Sequence, residues 1–493
     1  MAALMTISAD QHAPYRAEGT AAPGEPGVPP PLSPGSMAIT GNLHQIVARG
    51  GLASDGVPEK TAAGRVVAVE KSGGHVVRVI IQDGSGPGLL TRLGLVFATQ
   101  PAGLTGSADA VPSVAPGDFL LASGRLRGTA PPELAVREWS LLHKSAAPLQ
   151  ERSRPGAADS SVNLARVRDL LLNPGSRSLL AARTRVIGSV RRMLQILGYA
   201  EFDTPILQFV GEPERRTSAR VDLASFTQQA CLRTNPASMK SLLAAGFDAI
   251  FEIARTFRDE PIDSTHVPEY SLAEIYRAYA NYESMRDLAR ELVIGAAQAA
   301  SGGTVIRDQH GQHVDLAEPW RWVTLHDVVA VHVKSEITPE TGLSRLLAIA
   351  ERHAVDVPAG ASAGEVLVAL YETVVEPVLT TPTFVADFPV CVSPLAAGRS
   401  CSPGLVQKWD LVICGREVAT SYTELVDPAE LIRRRESYPL VPELQAVDDD
   451  LIALHELGIP PCGGLAVGLE RLIMTLTGAT DIRKVIPFAA SAR

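Results

Sequence analysis

The chain has no run approaching the roughly 18 consecutive apolar residues that a membrane span needs, so no membrane partner is expected. Cysteine is scarce. Cys231, Cys391, Cys401, Cys414 and Cys462 are odd in number and form no CxxC pair, which argues against a disulfide framework or a structural zinc site and suits a reducing compartment. An excess of positive charge is also missing. Lys and Arg total 45 against 54 for Asp and Glu, a formal charge of -9, so indiscriminate coating of nucleic acid is excluded while a local basic face stays open. The N-terminus lacks a charged head followed by an apolar stretch, and its few arginines are offset by Asp10 and Glu18, so a cytoplasmic location is expected.

What is present is length: 493 residues allow about two to four domains. Residues 21–36 hold six prolines and almost no large apolar side chain, and residues 1–45 read as a disordered tail. From Thr61 onward short β-branched runs alternate with turn signals. Several strands within about 90 residues predict a small barrel over 46–150, with an OB-fold the natural candidate and an SH3-like or other barrel the alternative. Residues 151–165 are rich in Ser, Pro, Gly and Ala, and 151–176 reads as a linker and basic junction. Nine arginines against Asp159 and Asp169 across 152–192 fit either a solvated helix face or a phosphate-contacting surface.

The catalytic-size remainder, 177–493, opens with apolar residues at helical spacing (Leu179, Leu180, Val186, Ile187, Val190, Met193, Leu194, Leu197), followed by a strand, EFDTPIL. Strand-rich segments at 249–282 and 384–425, separated by helical stretches near 284–300 and 342–376, predict an α+β antiparallel sheet flanked by helices.

Residues 251–283 read as two strands joined by a polar loop holding Pro261, Asp263 and Pro268. Period-two geometry puts Arg258 and Glu260 on one face of the first strand and Tyr270, Glu274 and Tyr276 on one face of the second. Solvated cross-strand ion pairs would explain one such pair. So many polar groups in an otherwise apolar hairpin point instead to a ligand site, because buried charges must be paired or bind something. A second hairpin, WDLVICGREVATSYTELVDP, turns at Cys414-Gly415-Arg416 and lets Asp410 and Glu417 face each other, either as a magnesium site or as two solvated acids near a turn. Thr420, Tyr422 and Glu424 share a face of its second strand.

FRDE, His266, PEY and LAEIYRAYANYE together resemble motif 2 of class II aminoacyl-tRNA synthetases, most closely the lysyl subgroup. GGLAVGLERLIMTLTG resembles motif 3, with Arg471 as its arginine, and YAEFDTPIL ends at Pro205 where motif 1 has its proline. SPLA at 393–396, GIPP at 458–461 and DIRKVIPF at 481–488 extend the resemblance over about residues 60–493. It implies an enzyme that activates lysine or a lysine-like diamino acid with ATP and Mg2+, transfers it to tRNA gripped through the N-terminal barrel, and works as a homodimer.

By that resemblance Arg258 bridges the substrate carboxylate and the α-phosphate, and Arg471 holds the γ-phosphate. Glu260 and His266 lie near adenine and the triphosphate, Tyr270 stacks on adenine where Phe is usual, and Asp410 and Glu417 hold Mg2+. Glu274, Tyr276 and Glu424 surround the side-chain amine, and Thr420, Tyr422 and Ala466 line the amino-acid site.

The sequence departs from the lysyl pattern at the α-amino end. Ala237 stands where an acid is expected, FVGEPERRTSAR replaces a Gly-Gly-Ala loop, and Thr420 stands for Asn between Ala419 and Ser421. Ala466 replaces a glycine of motif 3, as in the elongation factor P lysine ligase, which has a similar LLAAG segment. These changes favour a β-amino acid, a modified lysine or another diamino acid over plain L-lysine. Two further readings remain: a paralogue that transfers the acyl group to a protein, carrier or small amine, and an inactive tRNA-binding or regulatory module.

Overall fold

The computed structural model describes residues 43–48, 59–72, 76–83, 91–98, 114–127, 133–145, 162–209, 219–223, 230–236, 238–308, 310–438 and 449–490. Contacts divide the chain into one unit of Met1–Gly86 with Thr91–Gln150 and another of Glu151–Arg493 with Pro87–Leu90.

In the first unit, β1 (Lys60–Ser72), β2 (Val76–Asp83), β3 (Thr91–Ala98), β4 (Phe119–Arg127) and β5 (Glu133–His143) close a barrel in the order β1-β2-β3-β5-β4. The order is that of an OB-type barrel, with β3 and β5 the parallel pair. Alternation directs Val79 and Ile81, then Leu93, Leu95 and Phe97, into the interior. The helix Leu43–Ala48 adds Leu43 and Ile46 to the same core. The tail therefore does not reach residue 45, because Leu43 is fully buried against the barrel. The part of that tail before residue 43 lies outside the described residues.

Helix stands in the later part of the expected 151–176 linker: Val162–Leu172 is α-helical, and a second helix runs Pro174–Ile196. Asn173 caps the second helix by accepting from the Gly175 N–H at 3.0 Å, and Pro174 supplies the fixed φ of a first helical position. Residues 151–161 lie outside the described residues. Three of the described arginines here serve structural bonds. Arg166 donates to the carbonyls of Lys484, Ile486 and Pro487, Arg185 to those of Ala299 and Ala300, and Arg191 pairs with Glu201.

Thirteen further strands follow among the described residues: β6 (Ala200–Glu201), β7 (Leu207–Phe209), β8 (Arg220–Val221), β9 (Ala230–Leu232), β10 (Ala249–Phe257), β11 (Glu269–Ala278), β12 (Val305–Arg307), β13 (His313–Asp315), β14 (Arg321–Thr324), β15 (Thr383–Pro389), β16 (Leu405–Ile413), β17 (Arg416–Thr423) and β18 (Cys462–Gly468). Eight of them form one sheet, β14-β15-β16-β17-β18-β11-β10-β6, antiparallel except at its two edges. EFDTPIL is not one strand. Its start pairs with β10, its end joins a separate β7-β9-β8 sheet, and Pro205, which has no N–H to give a ladder, lies between them.

Alternation decides which face of the large sheet is chemical. Phe251, Ala273, Ile275, Trp409, Leu411, Ala419, Leu465 and Val467 pack against the helices Pro174–Ile196, Tyr282–Ser301 and Leu469–Thr477. Their even-numbered neighbours, including Glu274, Asp410, Thr420 and Ala466, must point to the opposite face.

Candidate active site

Strand register carries the candidate residues into rows across that face. Glu274 pairs with Ala466, Ala466 with Thr420, and Thr420 with Asp410. In the next row Tyr276 pairs with Gly464, Gly464 with Tyr422, and Tyr422 with Lys408. The methyl of Ala466 thus stands at the middle of the first row, between an acid and a hydroxyl.

Beside these rows lies a cleft of about 280 Å³ whose lining includes Arg258, Glu260, His266, Tyr270, Glu417, Thr420, Ala466 and Arg471. The Arg258 guanidinium lies 5.7 Å from the centre of the Tyr270 ring, a cation–π distance. Arg258 and Glu260 do not share a strand, since β10 ends at Phe257. The Arg258 N–H still bonds Pro268, and Glu260 follows in a tight turn back to the Arg258 carbonyl. Both side chains nevertheless reach the cleft.

Arg471, in the first turn of helix Leu469–Thr477, is held from two sides. Its Nη1 lies 3.7 Å from Glu417 Oε2 and its Nη2 lies 3.0 Å from His266 Nε2. Asp263 fixes the histidine, accepting from the backbone N–H groups of Thr265 and His266 and facing His266 Nδ1 at 2.9 Å. That arrangement puts the imidazole proton on Nδ1 and leaves Nε2 to accept from Arg471. Against a small cost of burial, these donors hold the Asp263 carboxyl well below the usual range. Asp263-Ser264-Thr265-His266 has the local pattern of an Asx-turn, the signal that could have marked this contact.

The second hairpin turns at Cys414 and Gly415, whose φ values of 54° and 69° suit the mirror-image turn of two-residue hairpins. Asp410 and Glu417 are not directly opposed. A register shift beside the turn pairs Glu417 with Val412, while Asp410 pairs with Thr420. Asp410 is buried, and both its oxygens receive Lys408 Nζ at 2.7 Å. Glu372 and Glu376 approach from a π-helical turn, Tyr371–Val375, and the residue after it. Glu376 accepts from the Glu417 N–H at 3.0 Å. Burial and then the charge of Asp410 push the Glu417 carboxyl up to about 7, and Glu372 and Glu376 are raised by the same two causes. The excess of acid over Lys408 and Arg471 is the environment a divalent cation would complete. Among the described residues no three metal-type side chains converge by themselves. Two carboxylates fit Mg2+, which takes few protein ligands and completes its shell with phosphate and water.

Glu274, Tyr276, Tyr422 and Glu424 lie along the same face, outside the cleft lining. Tyr276 donates to Glu274 Oε1 at 2.8 Å, and both are buried. Burial pushes the Glu274 carboxyl up to about 7, with the charge of Glu424 adding to it. Glu424 falls one residue beyond β17 but continues the ladder through its N–H to Cys462. Gly464 leaves the room these groups occupy: a β-carbon there would stand 2.6 Å from Glu424 Oε1 and 3.0 Å from Tyr276 Cε1.

Sequence reading missed Lys240, whose Nζ lies 2.6 Å from Glu424 Oε2. It also missed Glu470, which pairs with Arg183 at 2.8 Å and accepts from the Ser271 N–H at 2.7 Å. The charged run GLER flagged Glu470 only as a neighbour of Arg471; nothing local flagged Lys240. Ala237 and most of FVGEPERRTSAR lie outside the described residues.

The family model "tRNA synthetases class II (D, K and N)" matches residues 161–492. The lysine--tRNA ligase of Synechococcus sp. (strain CC9902) is 35% identical over 386 residues, covering 76% of each chain. The lysylphosphatidylglycerol biosynthesis bifunctional proteins LysX of Mycobacterium avium (strain 104) and Nocardia farcinica (strain IFM 10152) are 35% and 34% identical over 452 and 441 residues, or 89% and 86% of this chain. The chain spans only 38% of the length of either LysX relative. With its barrel, its eight-stranded sheet and these matches, the chain belongs to the class II tRNA synthetases of the D, K and N group.

Proposed function

We propose that this chain activates lysine or a lysine-like diamino acid with ATP, forming an aminoacyl adenylate, and passes the acyl group to tRNA. The observation that carries this is one cleft, beside the polar sheet face, lined together by Arg258, Arg471 and Glu417, with the buried acid Glu274 on that face and Glu424 one residue beyond β17. Two arginines from different elements would hold the phosphates of a bent nucleotide in line with the attacking carboxylate. Tyr270 offers a face to adenine, and Asp410 and Glu417 would hold Mg2+, which when bound neutralises phosphate charge. Buried acids facing a side-chain amine would reject a neutral side chain by about 10⁴, since the acids would be left unpaired.

Amino-acid-dependent pyrophosphate exchange tests the adenylation step, and charging of bulk tRNA tests the acceptor. Exchange with no amino acid of a diamino panel would overturn the proposal. Ala466, with its methyl between Glu274 and Thr420, and Thr420 itself favour a substrate other than plain L-lysine: a β-amino acid, a modified lysine or another diamino acid. A higher kcat/KM for L-lysine than for those would reject that refinement. Adenylation without charged tRNA would shift the acceptor to a protein, a carrier or a small amine.

The first unit's barrel is of the type that binds oligonucleotides, which supports tRNA as partner. Ile196, Leu197, Ile206 and Leu207, all close to the motif 1 proline in the chain, are exposed, which supports a homodimer through that segment. Light scattering giving twice the chain mass is the expected result.

The Glu274 carboxyl also sets a pH dependence. Below about 7 it takes a proton and loses its attraction for an ammonium, so KM for the diamino substrate rises about tenfold per unit as pH falls through and below that value. KM for a neutral-chain analogue stays flat. Steady-state exchange between about pH 6 and about pH 8 measures both. Without substrate the sign for stability is opposite. A carboxyl raised from 4.5 to about 7 contributes fully below its unfolded value, and that contribution is lost as pH rises through about 7.

A further inference from the structure

We propose that Lys240 is a positioning and specificity-determining residue of the amine pocket, holding one oxygen of Glu424 so that the other, with Glu274, receives a single substrate ammonium. The inference rests on the reading that Glu274 and Glu424 bind the side-chain amine. Lys240 belongs to the short helix Met239–Ala244, which Met239 and Leu243 anchor in a buried cluster with Ile250, Tyr276, Ile459 and Cys462. The helix therefore has little freedom to withdraw the lysine.

The geometry divides Glu424 between two duties. Oε2 meets Lys240 Nζ at 2.6 Å, with the two side chains 13% and 2% exposed. Both oxygens are buried and neither accepts a hydrogen bond of good geometry, so Lys240 holds Oε2 as an ion pair, while Oε1 lies over Gly464, where a β-carbon would stand 2.6 Å away. Gly464 pairs with Tyr276 and Tyr422, so Oε1 looks onto the face that carries Tyr276 and Glu274. An unpartnered, fully enclosed carboxylate oxygen aimed at that face marks the place of a donor from outside the chain.

Charge counting sets the ligand. Two carboxylates and one built-in ammonium leave room for one more positive charge. Of the other groups near the pair, Cys462 and Glu252 do not change that count, and His455 adds a positive charge only with both ring nitrogens protonated. Cys462 of β18 has its thiol raised by burial, and His455, in helix Asp449–Leu457, bonds the carbonyls of Leu451 and Leu425. Glu252 of β10 is taken by Arg233 in a pair buried on both sides. Without Lys240, Glu274 and Glu424 would be two adjacent buried acids, which hold a shared proton rather than two charges. A substrate ammonium would then have to expel that proton.

The test is exchange kinetics of the full chain with lysine and β-lysine as probes. Lys240→Met is expected to raise KM for the responding diamino acid about 10- to 100-fold with kcat changed less than about threefold. It also moves the pH at which KM falls upward by at least about one unit. Lys240→Arg keeps the charge and restores most of the wild-type profile, and Lys240→Gln repeats the first result if the Met variant does not fold. A lower KM in Lys240→Met would make Lys240 a tethered competitor and overturn the inference. An unchanged KM and pH profile would overturn it too, while leaving the proposed activity standing. A wild-type chain that responds to no diamino acid overturns both.

Discussion

Arg258→Ala is expected to lower amino-acid-dependent pyrophosphate exchange by about two to three powers of ten, the loss typical of removing one preorganised donor from a developing charge. Arg258 is well placed for that test because the fold asks little of it. Its side chain is 45% exposed, its ion pair with Glu260 is long at 3.9 Å, and its other contact is the face of Tyr270. The urea midpoint should therefore stay within the scatter of a surface substitution. Arg258→Lys keeps a positive charge but loses the planar fork, and should recover only part of the rate. Exchange within about threefold of wild type in Arg258→Ala would remove Arg258 from the phosphate-binding role. A similar fall in both exchange and urea midpoint would point to a structural role instead.

How much of this was visible beforehand follows from the range of each signal. The two hairpins were legible because period-two alternation and turn residues are local: Cys414-Gly415 sits at the turn, and β10 and β11 bracket the polar loop. The gathering of Arg258 and Arg471 in one cleft was legible only through motif order, since it depends on β18 inserting between β17 and β11. The details that failed are those set by backbone irregularity. A register shift moved Glu417 off Asp410, β10 ended before Glu260, and Pro205 split a strand that apolar pattern alone would continue. Arginines 166, 185 and 191 read as a surface charge cluster, yet they bond helix-end carbonyls and an acid of the second unit. Lys240 was illegible because nothing near it in the chain names its partner. Only the packing of a six-residue helix against the sheet brings it to Glu424.

The second large effect is expected at Glu470. This acid is 2% exposed and ties three segments: it pairs with Arg183 of helix Pro174–Ile196, accepts from the Ser271 N–H of β11, and precedes Arg471 in its own helix. Arg183 closes the loop by donating to Ser271 Oγ at 2.9 Å. Glu470→Ala leaves a buried guanidinium without its counter-charge and a buried N–H without its acceptor, costing about 3–5 kcal/mol in chemical denaturation. Arg183→Met should cost a similar amount, because the carboxylate is then the group left unpaired. If the loss comes from the orphaned partner, the double variant must cost clearly less than the sum of the two single variants. Costs that simply add would show that the two groups act separately. Exchange should fall with Glu470→Ala even where the chain stays folded, since the helix turn bearing Arg471 loses its tie to β11. The same buried pair would then hold the sheet to its helices and set the position of the Arg471 guanidinium in the cleft.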